Sequence, residues 1–363
     1  MPCDWSQERP GMALPPTVSW QEGALVLVDQ RRLPHELVLI TLTDYRELAT
    51  AIEQMYVRGA PAIGVAAAYG LALAARQALP GSASQVLQMV EQAATRLRST
   101  RPTAVNLFWA IDRLLSVAHS CSHLPAEDIA QRLLQEAHRV AEEDLQANRR
   151  LGHFGAQLLP DTANVLTHCN AGALATAGYG TALGIIRAAR EQGKRIHVYV
   201  DETRPRLQGA RLTMFELMTD GIPCTLIVDG AAGFLLRRGM VDAVIFGADR
   251  VAANGDVVNK VGTYPLAVVA CENSVPVYCA APLSTVDLSV PEGDLVPIEE
   301  RSSEEVLWIG QERIAPAGAQ AANPAFDVTP ARYITAIITE AGVLRPPYEE
   351  SLRLAMRGTR ACE

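Results

Sequence analysis

No run of apolar residues in this 363-residue chain approaches the roughly 20 needed to span a bilayer, and the opening MPCDWSQERPGMALPP lacks the apolar stretch of a secretory leader. A soluble protein with no membrane partner is expected. The seven cysteines, at positions 3, 121, 169, 224, 271, 279 and 362, include no CxxC pair, and an odd number suits no closed disulfide framework. Reduced thiols in the cytoplasm are the simplest expectation. Positive charge is not in excess: 32 basic against 40 acidic side chains leave a formal net charge of −8, which argues against a nucleic-acid partner. Any phosphate has to be met by a local basic pocket.

Phosphate-loop signatures are missing too, since there is no Walker loop and no GxGxxG after a strand. Seven histidines are scattered, and none stands at usual ligand spacing from another histidine, a cysteine or a carboxylate, so no metal site is expected. His168 beside Cys169 is the one suggestive neighbour. Adjacent strand residues point to opposite faces, which makes His168 a satisfied core histidine rather than a catalytic partner. Neither an internal repeat nor a low-complexity tract is found.

What remains, at 49% hydrophobic residues, fits a globular enzyme, and the length exceeds one typical core, so two domains are expected. After a disordered-looking start, Ala24 to Asp29 and Leu37 to Leu42 read as a small β-hairpin. Asp44 with Glu47 forms a capping-box pattern ahead of a helix carrying Leu48, Ile52, Met55 and Tyr56. Pro61 suits the first turn of a helix from Ala62 to Leu79, and further helices are predicted near 84–99, 102–119 and 126–148. The last is charged along one face and reads equally as a bridge between domains or as a solvated surface helix.

From Ala163 the pattern alternates: strand, helix 173–191, strand Ile196 to Val200, helix 210–219, strand Thr225 to Val228, helix 231–238, then strands Val241 to Phe246 and Val275 to Cys279. Short connections between such elements call for a mostly parallel sheet covered by helices. The expected class is α/β, with a Rossmann-like parallel-sheet C-terminal domain over 158–363. Ahead of it are expected a mainly helical N-terminal domain with a small hairpin over 1–125 and a linking helix over 126–157.

Loops after successive parallel strands open on one sheet edge, so their polar residues converge. The first such loop carries Cys169 and Asn170, after the run Ala163 to Leu166 and before glycines that lead to the helical run Thr181 to Arg190. A helix N-terminus favours a thiolate, which would arm Cys169; a small thiol packed between sheet and helix is the alternative. The second loop, Asp201 to Thr213, carries Arg204, Gln208 and Arg211. The third strand ends in Gly247-Ala248-Asp249-Arg250, and the loop beyond it holds Asn254, Asn259 and Lys260. Asp249 stands either as an acid at the rim of a partly dry cleft or as part of a surface turn or helix cap. In the first domain, Arg58 to Gly64 and Arg101-Pro102-Thr103 sit at loop-to-helix junctions, able to cradle a phosphate or simply to turn tightly.

In order, RGAPAIG, RPTAVNLFWA, THCNAGALAT, DETRPRLQGARLT, GADRVAANGDVVNKVGTYPLA and NPAFDVTPARYITAIITE resemble the methylthioribose-1-phosphate isomerases of methionine salvage. Their relatives are the regulatory subunits of the translation-initiation exchange factor and the ribose-1,5-bisphosphate isomerases, which share a helical N-terminal and a Rossmann-like C-terminal domain. The resemblance implies that Cys169 and Asp249 are the catalytic pair and that Arg58, Gly59, Ala60, Arg101, Gln208, Asn259 and Lys260 hold a sugar phosphate. It also implies a homodimer. Where the family has threonine after Cys-Asn, this chain has Ala171, which weakens any role of that position in hydrogen-bonding the ligand.

The implied reaction explains the residues. In methylthioribose 1-phosphate the anomeric oxygen carries the phosphate, so the ring cannot open to a free aldehyde. Opening it calls for an acid at the ring oxygen and a group that manages the C2 proton or a C2-to-C1 hydride shift, and both routes stay open. Asp249 and Cys169 supply such groups with no metal or cofactor. Arg58 and Lys260 are the first candidates for the phosphate, which would place the site in a cleft between domains that closes over ligand. Two alternatives differ at the substrate or at catalysis: an isomerase of 5-deoxyribose 1-phosphate or ribose 1,5-bisphosphate, and a non-catalytic sugar-phosphate-sensing subunit.

Overall fold

Apolar stripes at helical spacing and short β-branched runs set the elements of this chain, whose computed structural model describes residues 14–101 and 104–360. The leading segment up to residue 13, with Cys3, lies outside the described residues, as do Pro102, Thr103 and Cys362. The chain divides into two compact units. One comprises Pro15–Arg149 with Ala171–Gly184; the other comprises Arg150–Asn170 and the chain from Ile185 onward.

In the first of these, β1 (Val18–Gln21), β2 (Ala24–Val28) and β3 (Leu39–Leu42) form an antiparallel three-stranded sheet. The expected hairpin is present as β2 and β3, and β1, not expected from the sequence, pairs with β2 as a third strand. Five helices follow: α1 (Tyr45–Glu53), α2 (Ala60–Gln77), α3 (Ala83–Arg98), α4 (Val105–Ser120) and α5 (Ala126–Ala156), whose residues from Arg150 onward count to the other unit. Asp44 caps α1 through the Arg46 N–H at 2.7 Å, whereas the reciprocal capping box stands at Ser82 and Gln85 ahead of α3. Helix α2 is apolar nearly all round and runs through the middle of this core, against Leu48 and Ile52 of α1, Leu97 of α3 and Leu107 and Ile111 of α4.

The other unit is built on a seven-stranded sheet. Its strands are β4 (Thr162–Thr167), β5 (Arg195–Asp201), β6 (Cys224–Ile227), β7 (Ala243–Phe246), β10 (Val277–Ala280), β15 (Ala336–Thr339) and β16 (Gly342–Leu344), in the spatial order β16-β15-β10-β7-β4-β5-β6. All neighbours pair in parallel except β16, which turns back antiparallel on β15. The first six parallel strands therefore run 3-2-1-4-5-6, the doubly wound Rossmann order, and the winding reverses between β4 and β7. Connecting helices are α6 (Ala182–Glu191), α7 (Met214–Thr219), α8 (Ala232–Arg237) and α9 (Thr263–Glu272). Leu166, Val244, Phe246, Val277 and Ile337 from the strands pack with Leu235, Leu236 and Leu266 from the helices.

A second sheet, not expected from the sequence, follows β7. Strands β8 (Arg250–Ala252), β9 (Val257–Lys260), β11 (Val286–Asp287) and β14 (Phe326–Thr329) lie in the order β11-β8-β9-β14. A two-stranded ribbon of β12 (Trp308–Ile309) and β13 (Glu312–Arg313) follows the short helix α10 (Glu304–Leu307), and α11 (Tyr348–Arg360) comes last. Among the described residues no helix is long and apolar enough to cross a membrane.

Candidate active site

Ligands of open α/β sheets bind outside the carboxyl ends of the strands where the winding reverses. Here that point lies between β4 and β7, the strands that Cys169 and Asp249 follow. Beyond Thr167 the chain turns sharply, and Cys169 adopts φ +64°, the left-handed region in which a side chain costs about 1–3 kcal/mol. The turn leaves Cys169 half-buried among residues that are fully buried. Its N–H donates to Thr203 Oγ1 at 2.9 Å, and its carbonyl accepts from Thr213 Oγ1 at 2.7 Å.

The helix expected over 173–191 is corrected. Only the 3₁₀ turn Ala173–Ala175 forms early, and α6 starts at Ala182, because Tyr179 and Gly180 take positive φ and break the run. Cys169 therefore precedes an irregular glycine-rich loop rather than a helix start. The Leu183 N–H, in the first turn of α6, already donates to the Ala171 carbonyl at 3.2 Å. Strand-end geometry, rather than a helix dipole next in sequence, is what singles out Cys169.

After β5, the segment Asp201 to Thr213 is drawn tight. Gly209 opens a π-turn over Gly209–Thr213 that runs into α7. A Cβ at Gly209 would lie 1.7 Å from the Asp201 carbonyl oxygen, so only glycine fits. Next to it Gln208 is 7% exposed, and its amide oxygen is buried without a hydrogen-bond partner among the described residues. A buried orphan acceptor costs about 1–3 kcal/mol, which a donor group of a ligand would recover. Arg204 is turned to structure, with its guanidinium on the Val306 and Pro205 carbonyls at 2.8 and 2.9 Å.

Asp249 follows β7 by three residues, is half-buried, and donates its N–H to the Val258 carbonyl at 2.9 Å. Asn259 and Lys260 do not lie in a loop, as expected, but on β9, paired with β14 through Lys260 opposite Phe326. The reason is the Asn254-Gly255 turn, with Gly255 at φ +90°, which closes β8 onto β9 as a hairpin. Both side chains are buried. Lys260 Nζ donates to the Ala325 carbonyl at 2.6 Å and lies 4.7 Å from the Phe326 ring centre, and Asn259 Nδ2 donates to Thr263 Oγ1 at 2.9 Å. Asp327 accepts the Gly262 and Tyr264 N–H groups at the start of α9, and burial pushes its carboxyl up to about 6.

His168 is a satisfied core histidine. Its Nδ1 meets Asp201 Oδ2 and its Nε2 meets the Val261 carbonyl, each at 2.9 Å. Burial opposes charging of the ring, but both nitrogens face acceptors and hold its pKa above the ordinary histidine value. Asp229 lies close enough to join them in a metal-sized cluster that sequence spacing did not reveal, since the three residues come from different strand ends. Its two carboxylate oxygens accept the Thr203 and Arg204 N–H groups at 2.7 and 2.8 Å, so the cluster is occupied as a hydrogen-bond network that ties β4, β5 and the loop after β6.

In the other unit, the junction Arg58-Gly59-Ala60 leads directly into α2. Gly59 stands at φ +95° with the Ala175 backbone 2.6 Å from any added Cβ, so close packing demands glycine there. Ala60 is the first residue of α2 and is buried; Arg58 and Arg101 are half-buried. The residues that sequence reasoning missed are Thr203, Thr213, Glu216 and the His168–Asp201 pair. Their signal is only their position after parallel strands, and a threonine in a loop carries no mark of its task.

Residues 56–346 match the initiation factor 2 subunit family, and the chain belongs to that family. Within it, the chain is 54% identical over 343 residues to a methylthioribose-1-phosphate isomerase of Pelotomaculum thermopropionicum, covering 94% of each. The crystal structure of 5-methylthioribose 1-phosphate isomerase from Pyrococcus horikoshii OT3 superposes with a TM-score of 0.89 at 47% identity, over 95% of this chain and 96% of that one. A structure described as the translation initiation factor eIF-2B, subunit delta, from A. fulgidus gives 0.84, also at 47% identity, over 94% of this chain and 99% of that one. The resemblance read from the six motifs is thereby borne out over nearly the whole chain.

Proposed function

We infer that this chain is an aldose–ketose isomerase that converts 5-methylthioribose 1-phosphate to 5-methylthioribulose 1-phosphate, a step of methionine salvage. The observation that carries the reading is the identity of more than half over 94% of a methylthioribose-1-phosphate isomerase. The placement of Cys169 and Asp249 after β4 and β7, on either side of the reversal in strand order, supports it. The test is a spectroscopic assay for ketose formation by the purified chain, run side by side on methylthioribose 1-phosphate, 5-deoxyribose 1-phosphate and ribose 1,5-bisphosphate. Fastest turnover on the first is expected. Binding without turnover on all three would make the chain a sensor instead.

In the net reaction the C1–ring oxygen bond breaks, the ring oxygen gains a proton, the C2 hydroxyl loses one, and the hydrogen on C2 ends on C1. We assign the proton at the ring oxygen to Asp249 and the second proton transfer, or steering of C1 and C2, to Cys169. Gln208, with its orphan amide oxygen, is assigned to a sugar hydroxyl. Asn259, Lys260, Arg58, Gly59, Ala60 and Arg101 are assigned to holding the rest of the substrate, with Arg58 and Lys260 on the phosphate.

Arg58→Ala is expected to weaken substrate binding by about 10- to 100-fold, the worth of a charge-assisted contact of roughly 1.5–3 kcal/mol, while the thermal midpoint barely moves. An equal loss of thermal stability would return Arg58 to a structural role. A chelator is expected to leave turnover unchanged, because both His168 nitrogens are engaged by Asp201 and the Val261 carbonyl and both Asp229 oxygens by backbone N–H groups. Activity lost in chelator and restored by zinc or magnesium would overturn that. A homodimer in the cytoplasm is the proposed working state, to be read by light scattering and cell fractionation.

A further inference from the structure

A non-glycine residue keeps a left-handed backbone only where its surroundings hold it there. At Cys169 the holding groups are two hydroxyls. Thr203 Oγ1 accepts the Cys169 N–H at 2.9 Å and donates to the Asp201 carbonyl at 3.1 Å. Thr213 Oγ1 donates to the Cys169 carbonyl at 2.7 Å and accepts from Asn170 Nδ2 at 3.1 Å. Each hydroxyl spends its one proton inside the protein, and both threonines are wholly buried. The anchorage continues behind them: Asn170 Nδ2 also donates to Glu216 Oε1 at 2.9 Å, Glu216 Oε2 is held by Arg187 at 2.9 Å, and the Thr203 N–H is fixed on Asp229 at 2.7 Å.

We propose that Thr203 and Thr213 are positioning residues that clamp the Cys169 peptide from both sides and so aim its thiol out of the strand and into the crevice at the sheet edge. With an extended backbone, Cys169 would continue the alternation of β4, and its side chain would fall on the packed face shared by Thr167, which is 1% exposed. The left-handed turn carries it instead to a half-buried position. Both clamps come from the segment that ends in the π-turn, the same segment that presents Gln208, so one piece of backbone sets the thiol and the orphan amide together. The proposal rests on the reading of Cys169 as a residue that touches substrate.

The test pairs variants that remove the hydroxyl at constant shape, Thr203→Val and Thr213→Val, with variants that keep it, Thr203→Ser and Thr213→Ser. Two quantities are measured: kcat and KM, and the rate at which iodoacetamide alkylates Cys169 across pH, with the modified site identified by peptide mass spectrometry. The valine variants should lose kcat by about 10-fold or more with KM within about 3-fold, since a misaimed group acts on the transition state rather than on binding. Their Cys169 should alkylate at least about 5-fold more slowly because the thiol swings toward the packed face. The serine variants should recover most of both. Valine variants whose Cys169 alkylates at the parental rate at every pH would overturn the clamp, as would serine variants as impaired as the valine ones. Should a valine variant fail to fold, the serine variants alone decide. Alkylation needs no substrate, so slowed alkylation in a chain without isomerase turnover would sink the proposed reaction and leave the clamp standing.

Discussion

Cys169→Ser and Asp249→Asn are each expected to lower turnover by at least ~100-fold, the usual scale for losing a positioned acid or base. Each change keeps the size of the side chain and removes its proton chemistry, so both variants should fold and still bind sugar phosphate. The two residues follow adjacent strands at the reversal of winding, where a ligand lying across the strand ends would meet both loops. A thiol reagent should likewise inactivate the parent chain. Substrate should slow that reaction, since a sugar bound at these strand ends would cover the half-buried thiol. Kinetics of the purified variants check the first expectation, and alkylation with and without methylthioribose 1-phosphate checks the second. Near-normal turnover in either variant would remove that residue from the mechanism.

Gly209→Ala is the second large effect. The new methyl would sit 1.7 Å from the Asp201 carbonyl oxygen and 2.9 Å from its carbon. Asp201 cannot retreat, because it ends a strand paired on both sides, holds His168 through its side chain and accepts Thr203 Oγ1 at its carbonyl. The π-turn has to move instead, taking Gln208 and Thr213 with it. A stability loss of about 1–3 kcal/mol is expected, on the scale of overpacking. A fall in turnover of about 10-fold or more should accompany it, as loss of alignment predicts. Gly230→Ala is the control: nothing lies within 4 Å of its Cβ position, so stability should stay within about 0.5 kcal/mol of the parent. A parental melting curve and parental kinetics for Gly209→Ala would show that the π-turn shifts without consequence.

Most of the parallel sheet is legible because each of these strands is a short apolar run, and β4, β5 and β6 are each followed by a helical pattern. β4, β5, β6, β7 and β10 all form within two residues of where the runs place them. The second sheet was not read, although Asn254-Gly255 between Val251 and Val257 is a hairpin signal. Its strands are only two to four residues long, too short for period-two alternation to stand out. The start of α6 differs for another reason: alanines and a leucine between 171 and 177 favour a helix, but Tyr179 and Gly180 that follow take positive φ, which no helix allows.

The sequence by itself determined the α/β class, the alternation of strands and helices from β4 to α8, and the family, because periodicity and ordered motifs are properties of neighbouring residues. It also marked Cys169 and Asp249, since residues just past parallel strands must emerge at one edge of the sheet. Only the tertiary structure decided which strands flank the reversal, that Asn259 and Lys260 stand on a strand, and that His168 is paired with Asp201, 33 positions away. The left-handed turn at Cys169 belongs to the same class. Two threonine hydroxyls brought in by the next βα loop hold it, and hydrogen bonds across 34 and 44 residues leave no periodic trace along the chain.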